Sequence, residues 1–187
     1  MPQIVQEAPP LPVALAEVKA FLRIGTEEED ALIASLIASA AEMCEAFTCR
    51  ALIERGVSEI LPASSAWTRL GVAPVRAIDG VAALDAEGEA EALAAQDYSI
   101  DIDAAGDGWV RVLRAGAAKR VRVSYSAGMA SDADGVPEAI RHGIVRLSAF
   151  LYTHRTENKG GPPAAVTALW RPWRRLPFGV ARDRRAG

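Results

Sequence analysis

The sequence predicts an α+β protein: a bundle made by N- and C-terminal helices, an antiparallel β-sheet inserted between them, and an extended C-terminal tail. Three observations carry this. Apolar residues recur at threes and fours over residues 32–47 and again over 140–151, the period of a helix with one buried face. Between these stretches the period falls to two. After the second helical stretch, Lys159-Gly160-Gly161-Pro162-Pro163 interrupts any regular element.

Taken in order, residues 1–12 hold Pro2, Pro9, Pro10 and Pro12 and are expected to be extended. A first helix is predicted over 14–23, with Leu15, Val18 and Leu22 on one face and Gly25 as its stop. Thr26 and Glu29 have the spacing of a capping box, and the acids at 27–29 suit a helix N-terminus. The second helix is predicted over 27–48, its stripe formed by Leu32, Ile33, Leu36, Ile37, Ala40, Met43, Cys44 and Phe47. A β insertion follows over about 51–126. Val121, Val123 and Tyr125 alternate with Arg120, Arg122 and Ser124; Tyr98, Ile100 and Ile102 alternate with Ser99, Asp101 and Asp103. Further strands are predicted at 57–61, 68–72, 75–84 and 109–113. The links are too short for crossover helices, so the sheet is read as an antiparallel meander. Pro137 suits the first position of a third helix over 137–155, with Ile140, Ile144, Leu147, Leu151 and His154 along one side.

A chain of 187 residues, half of them apolar, can bury a core without disulfides or metals. Cys44 and Cys49 form no disulfide framework; they read as a buried small hydrophobe and a helix-end thiol. No positively charged segment leads an apolar one at the N-terminus, and no run reaches the length of a membrane span, so a cytoplasmic protein without membrane contact is expected. No nucleophile elbow, zinc-protease helix or phosphate loop is present. His154 reads as structural and His142 as solvated. With no base beside a nucleophile, no enzyme activity, metal or cofactor is expected. Asp101, Asp103 and Asp107 surround a Gly-rich hairpin and lack the remaining ligands of a calcium loop.

The formal net charge is -3, but from Trp170 onward six arginines face a single acid, Asp183. A basic, aromatic tail on an acidic body suggests docking on an acidic partner. Trp and Arg dominate binding hot spots, so Leu169, Trp170, Arg171, Trp173, Arg174, Arg175 and Phe178 are the candidate partner-binding residues. The alternative is a nucleic-acid-binding accessory protein whose tail clamps DNA with arginine and stacked tryptophan.

The order of pieces resembles a known family. The short first helix, Asp30-Ala-Leu-Ile-Ala-Ser-Leu-Ile, and Cys44-Glu-Ala-Phe-Thr-Cys-Arg-Ala-Leu resemble the opening of phage head–tail connector (adaptor) subunits. Val121-Arg-Val-Ser-Tyr-Ser-Ala-Gly128 followed by Val136-Pro-Glu-Ala-Ile-Arg-His-Gly-Ile is similar to their last strand and long helix. Ala168-Leu-Trp-Arg-Pro-Trp-Arg-Arg175 is similar to their close, with tryptophans at 170 and 173 where a smaller residue and a tyrosine are commoner.

The resemblance implies a structural subunit with a connector domain over 1–163 and a docking tail over 164–187. It implies a homo-oligomeric ring of about a dozen copies that joins the portal to a tail-side connector or tail-terminator protein. It also implies that DNA passes through without specific binding, and that the C-terminal segment grips the portal. Assembly in the bacterial cytoplasm and residence at the head–tail junction of a virion or gene transfer agent follow from the same resemblance.

Overall fold

The structure is a computed structural model and describes residues 3–6, 8–154 and 161–175 of the chain. It divides into two compact units, one helical and one of β-strands.

The helical unit takes Pro9–Ile53 and Met129–Leu176. Helix α1 spans Leu15–Leu22, α2 Asp30–Thr48, α3 Glu138–Thr153 and α4 Ala164–Trp170. Helix α2 buries Ile33, Ile37, Ala40 and Cys44, which recur at fours and threes. This stripe is narrower than the periodicity predicts, because Leu36, Met43 and Phe47 only flank the core and Leu32 is exposed. By length and composition α2 is apolar enough to cross a membrane, but its stripe packs with α3, as a core helix does. The other side of the core comes from Ile140, Ile144 and Leu147 of α3.

Two local expectations change. Arg23, at φ 60°, takes the left-handed turn that ends α1, two residues before Gly25. The capping box does not form: α2 starts at Asp30, and the Glu29 carboxylate accepts from the Tyr152 hydroxyl of α3 instead of reaching back. A tertiary partner wins over the local one. Lys19 meets Asp30 at 2.5 Å, which fastens α1 to the start of α2.

The β unit is built on Glu54–Gly128 with the N-terminal residues to Ala8. Its strands are β1 Gln3–Gln6, β2 Arg55–Pro62, β3 Thr68–Arg69, β4 Val75–Leu84, β5 Ala90–Ala92, β6 Tyr98–Ile102, β7 Gly108–Val112 and β8 Arg120–Ala127. Every pairing between these strands is antiparallel. They form a five-stranded sheet ordered β1-β2-β8-β4-β5 and a three-stranded sheet ordered β3-β7-β6.

The sheet is therefore antiparallel, as expected, but it is no simple meander. The last strand, β8, sits between β2 and β4, with Val123 opposite both Glu59 and Val81. Its alternate residues Val121, Val123, Tyr125 and Ala127 are all buried, which suits a central strand. Strand β1 falls in the stretch expected to be merely extended. The alternation in β6 is real but reversed in burial at its end: Ile100 and Ile102 are exposed along a sheet edge.

Candidate partner-binding site

The predicted docking tail begins as part of the helical unit. Pro163, at φ -52° and ψ 145°, precedes α4. A seven-residue helix then packs on α3, followed by a 3-10 turn over Arg171–Trp173. The Gly-Gly-Pro-Pro break thus introduces a helix that returns to the core, and residues 164–175 are neither extended nor separate from the body.

Trp170 is the centre of this arrangement. It is 0% exposed, its ring centroid lies 6.0 Å from that of Phe47, and its Nε1–H donates to the Ile140 carbonyl at 3.3 Å. The space is provided by Gly143 in the middle of α3, where a Cβ would stand 2.2 Å from the indole Nε1. A mid-helix glycine costs roughly 0.5–1 kcal/mol relative to alanine, so its presence on a buried face signals something that needs the room. That signal stands in the sequence, three residues after Ile140. Trp170 was expected to fill a pocket on a partner; it fills one in its own chain.

The residues after it are tied to the end of α2. Cys49 ends that helix in a left-handed conformation, φ 55°, which leaves late carbonyls of α2 free to accept. The Arg175 N–H donates to the Thr48 carbonyl at 2.8 Å, and Arg50 Nε donates to the Trp173 carbonyl at 3.1 Å. The Arg174 guanidinium lies 5.3 Å from the Phe47 ring centroid, a cation–π contact. Leu169 and Trp173 are half-buried against the helical core, and Arg175 is half-buried too. Arg171 and Arg174 are exposed. Of the seven candidates, the structure brings six together and leaves Arg171 and Arg174 exposed; Phe178 lies outside the described residues.

The remaining chemistry is structural. Burial, and secondarily the nearby Glu45 charge, pushes the Cys44 thiol far above its usual range, which leaves it protonated and inert. In the β unit Glu59 is 1% exposed; its Oε2 accepts from the Gly71 N–H and from the Tyr125 hydroxyl, both at 2.9 Å. That hydroxyl accepts in turn from the Val72 N–H at 3.2 Å. Burial first, and the Glu59 charge second, hold Tyr125 protonated far above the ordinary tyrosine range. Asp103 closes its hairpin by accepting from the N–H groups of Ala105 and Asp107 at 2.9 and 3.0 Å. His154 stacks on Phe150 at the end of α3, and both it and His142 are exposed. Among the described residues no three metal-ligating side chains cluster.

Residues 12–87 match the family of phage gp6-like head-tail connector proteins. Among solved structures, a chain from the neck of an empty gene transfer agent (GTA) particle, computed with C6 symmetry, superposes with a TM-score of 0.76 at 26% identity, over 95% of this chain and 97% of that one. A chain from the virion of a native GTA particle gives 0.74 at 27% identity, over 97% and 99%. A third, from the neck of a native GTA particle computed with C12 symmetry, gives 0.70 at 24% identity and shows the shared fold. No curated protein matches the chain. The fold and the family signature agree with the order of elements in the sequence, and the class they define is a structural connector. Over residues 12–87 and in its fold the chain is similar to phage head–tail connector proteins.

Proposed function

We propose that this chain forms a ring of about a dozen copies at the neck of a phage-like particle. The ring joins the portal to the tail and leaves an opening through which DNA passes without specific binding. The observation that carries this reading is the likeness, over nearly the full length of both chains, to a subunit from the neck of a GTA particle with rotational symmetry. Assembly in the bacterial cytoplasm and final residence at the head–tail junction belong to the same proposal.

The C-terminal segment is the portal-binding element in this reading, with its roles redistributed. Trp170 anchors the segment to its own subunit, while Arg171 and Arg174 face outward and meet acids on the portal. Leu169 and Trp173 supply the apolar margin beside them, and Arg175 and Phe178 complete the set. The rival reading, a DNA clamp built on stacked tryptophans, loses its main stacking ring to the core.

Native mass spectrometry and electron microscopy of the purified chain, alone and with portal rings, test the proposal. Rings bound to the portal are the expected result. A chain that stays monomeric with portal and binds DNA with an affinity falling steeply in salt would overturn it.

A further inference from the structure

The three-stranded sheet β3-β7-β6 has two unlike faces. Val110 and Val112 of β7 point into the core of the β unit. Trp109 and Arg111, at the alternate positions, therefore point the other way. Antiparallel register sets Arg69 and Asp101 on either side of Trp109, and Ser99 beside Arg111, all on that second face. Trp67, just before β3, joins them, with the Arg111 Cζ lying 4.8 Å from its ring centroid. Two tryptophans and two arginines thus alternate across one sheet face, and all four are half-buried.

The chain fixes this face without making full use of it. The Trp109 Nε1–H donates to the Asp103 Oδ2 at 3.2 Å. Arg111 is held by its contact with Trp67, yet its Nε–H is buried with no hydrogen-bond partner among the described residues. Neither Arg69 nor Arg111 makes an ion pair among the described residues. A buried donor without an acceptor costs folding free energy, and a leucine at 111 would cover Trp67 without that cost. An arginine kept where folding alone would favour an apolar residue points to a use outside the chain.

We infer that this face docks an acidic protein segment on the tail side of the ring. The segment's carboxylates meet Arg69 and Arg111, and its apolar atoms lie on Trp67 and Trp109. Tryptophan and arginine are the side chains that most often carry binding energy at protein interfaces. Asp101 and Asp103, beside Trp109 on the same face, favour a protein over nucleic acid, because they repel a run of phosphates. The inference rests on the ring proposed above. A joint needs a second docking surface besides the portal-binding one, and this face lies in the other unit of the chain.

Three full-length variants test it: Trp67→Ala, Arg111→Leu, and Arg69→Ala with Arg111→Leu. Each is assembled on portal-bearing filled heads and then offered purified tails. Melting temperature, rings on the portal and joined tails are read separately. Arg111→Leu should melt no lower than wild type, because the unsatisfied donor is gone, and should still form rings. Its apparent affinity for tails should fall about tenfold, and that of Trp67→Ala about thirtyfold or more. Tail joining by wild type should weaken with salt. Should Trp67→Ala fail to fold, the two arginine variants carry the test.

Tails that join the folded double arginine variant as they join wild type would overturn this surface while the ring reading stands. Rings lost in the folded arginine variants would make the occupant a second copy and also overturn it. The same holds for a wild-type DNA affinity that these changes abolish, which would make the occupant nucleic acid. A marked fall in the Arg111→Leu melting temperature would assign the arginine to the fold and leave no docking role. A wild-type chain that forms no ring on the portal removes the ring reading, and this surface with it.

Discussion

Gly143 and Trp170 form a fitted pair: the indole occupies the volume that any side chain at 143 would need, its Nε1 lying 2.2 Å from the position of a Cβ there. Gly143→Ala should raise helix propensity by ~1 kcal/mol and still destabilise the protein, because overpacking a core costs about 1–3 kcal/mol or more. Thermal melting should fall, and tryptophan emission should shift red as the indole is displaced. A melting temperature that rises would show that the ring moves aside at no cost.

Deletion of residues 164–187 should lower the melting temperature substantially, contrary to what the Gly-Gly-Pro-Pro break suggests. The deletion uncovers the Trp170 site, and replacing a buried tryptophan by alanine costs about 3–5 kcal/mol. Trp170→Ala alone should reproduce most of the loss. Chemical denaturation of both variants checks this, with equal effects expected within about 1–2 kcal/mol.

Along α2 the cost of truncation should follow burial. Ile37→Ala, at a position 0% exposed, should cost about 2–5 kcal/mol, whereas Leu32→Ala should cost much less because Leu32 is exposed. Urea midpoints for the two variants decide it. Equal losses would place the stripe one residue out of register.

Tyr125 gives a pH prediction. Its folded-state pKa is raised, so the protonated phenol is favoured by folding. The stabilisation is fully present below the ordinary tyrosine pKa of about 10 and is lost as pH rises above it, when the unfolded chain releases a proton that the folded chain keeps. The slope from this one group approaches ~1.4 kcal/mol per pH unit. Tyr125→Phe should flatten alkaline unfolding above about pH 10. It should also cost about 1–3 kcal/mol at neutral pH, by leaving the Glu59 Oε2 and the Val72 N–H each short of a partner.

Arg171→Ala with Arg174→Ala should leave the fold intact, both side chains being exposed, yet weaken portal attachment. Exposed charge pairs contribute modestly, so a loss of about 0.5–2 kcal/mol, larger at low salt, is expected from surface-binding assays against portal rings. An unchanged affinity would remove these arginines from the site.

How much of this was legible follows from the range of the interactions. The β8 alternation and the α2 stripe are local periods that burial enforces residue by residue, and they could be read directly. The order of strands could not, because β8 is placed beside β2 and β4 by pairings across dozens of residues. The Thr26–Glu29 signature is equally local, yet Tyr152 captured Glu29 from 123 residues away. The burial of Trp170 escapes the sequence in a related manner. Trp170 and the arginines around it carry the composition of a binding segment, and composition does not say which members of the set the chain keeps for itself. Gly143 did say so, but only to a reading that asks why a buried helix face leaves a gap.

The tie between Arg175 and the end of α2 has a mechanical meaning. Any tension applied through the residues after Arg175 reaches the hydrogen bond from its N–H to the Thr48 carbonyl, and the Arg50–Trp173 bond two residues back, before it reaches α4. The load is thereby delivered to a nineteen-residue helix whose stripe is clamped along its length, and not to a seven-residue helix that could be peeled off turn by turn. On the proposed portal-binding reading, a pull on the C-terminal segment would meet its strain relief here.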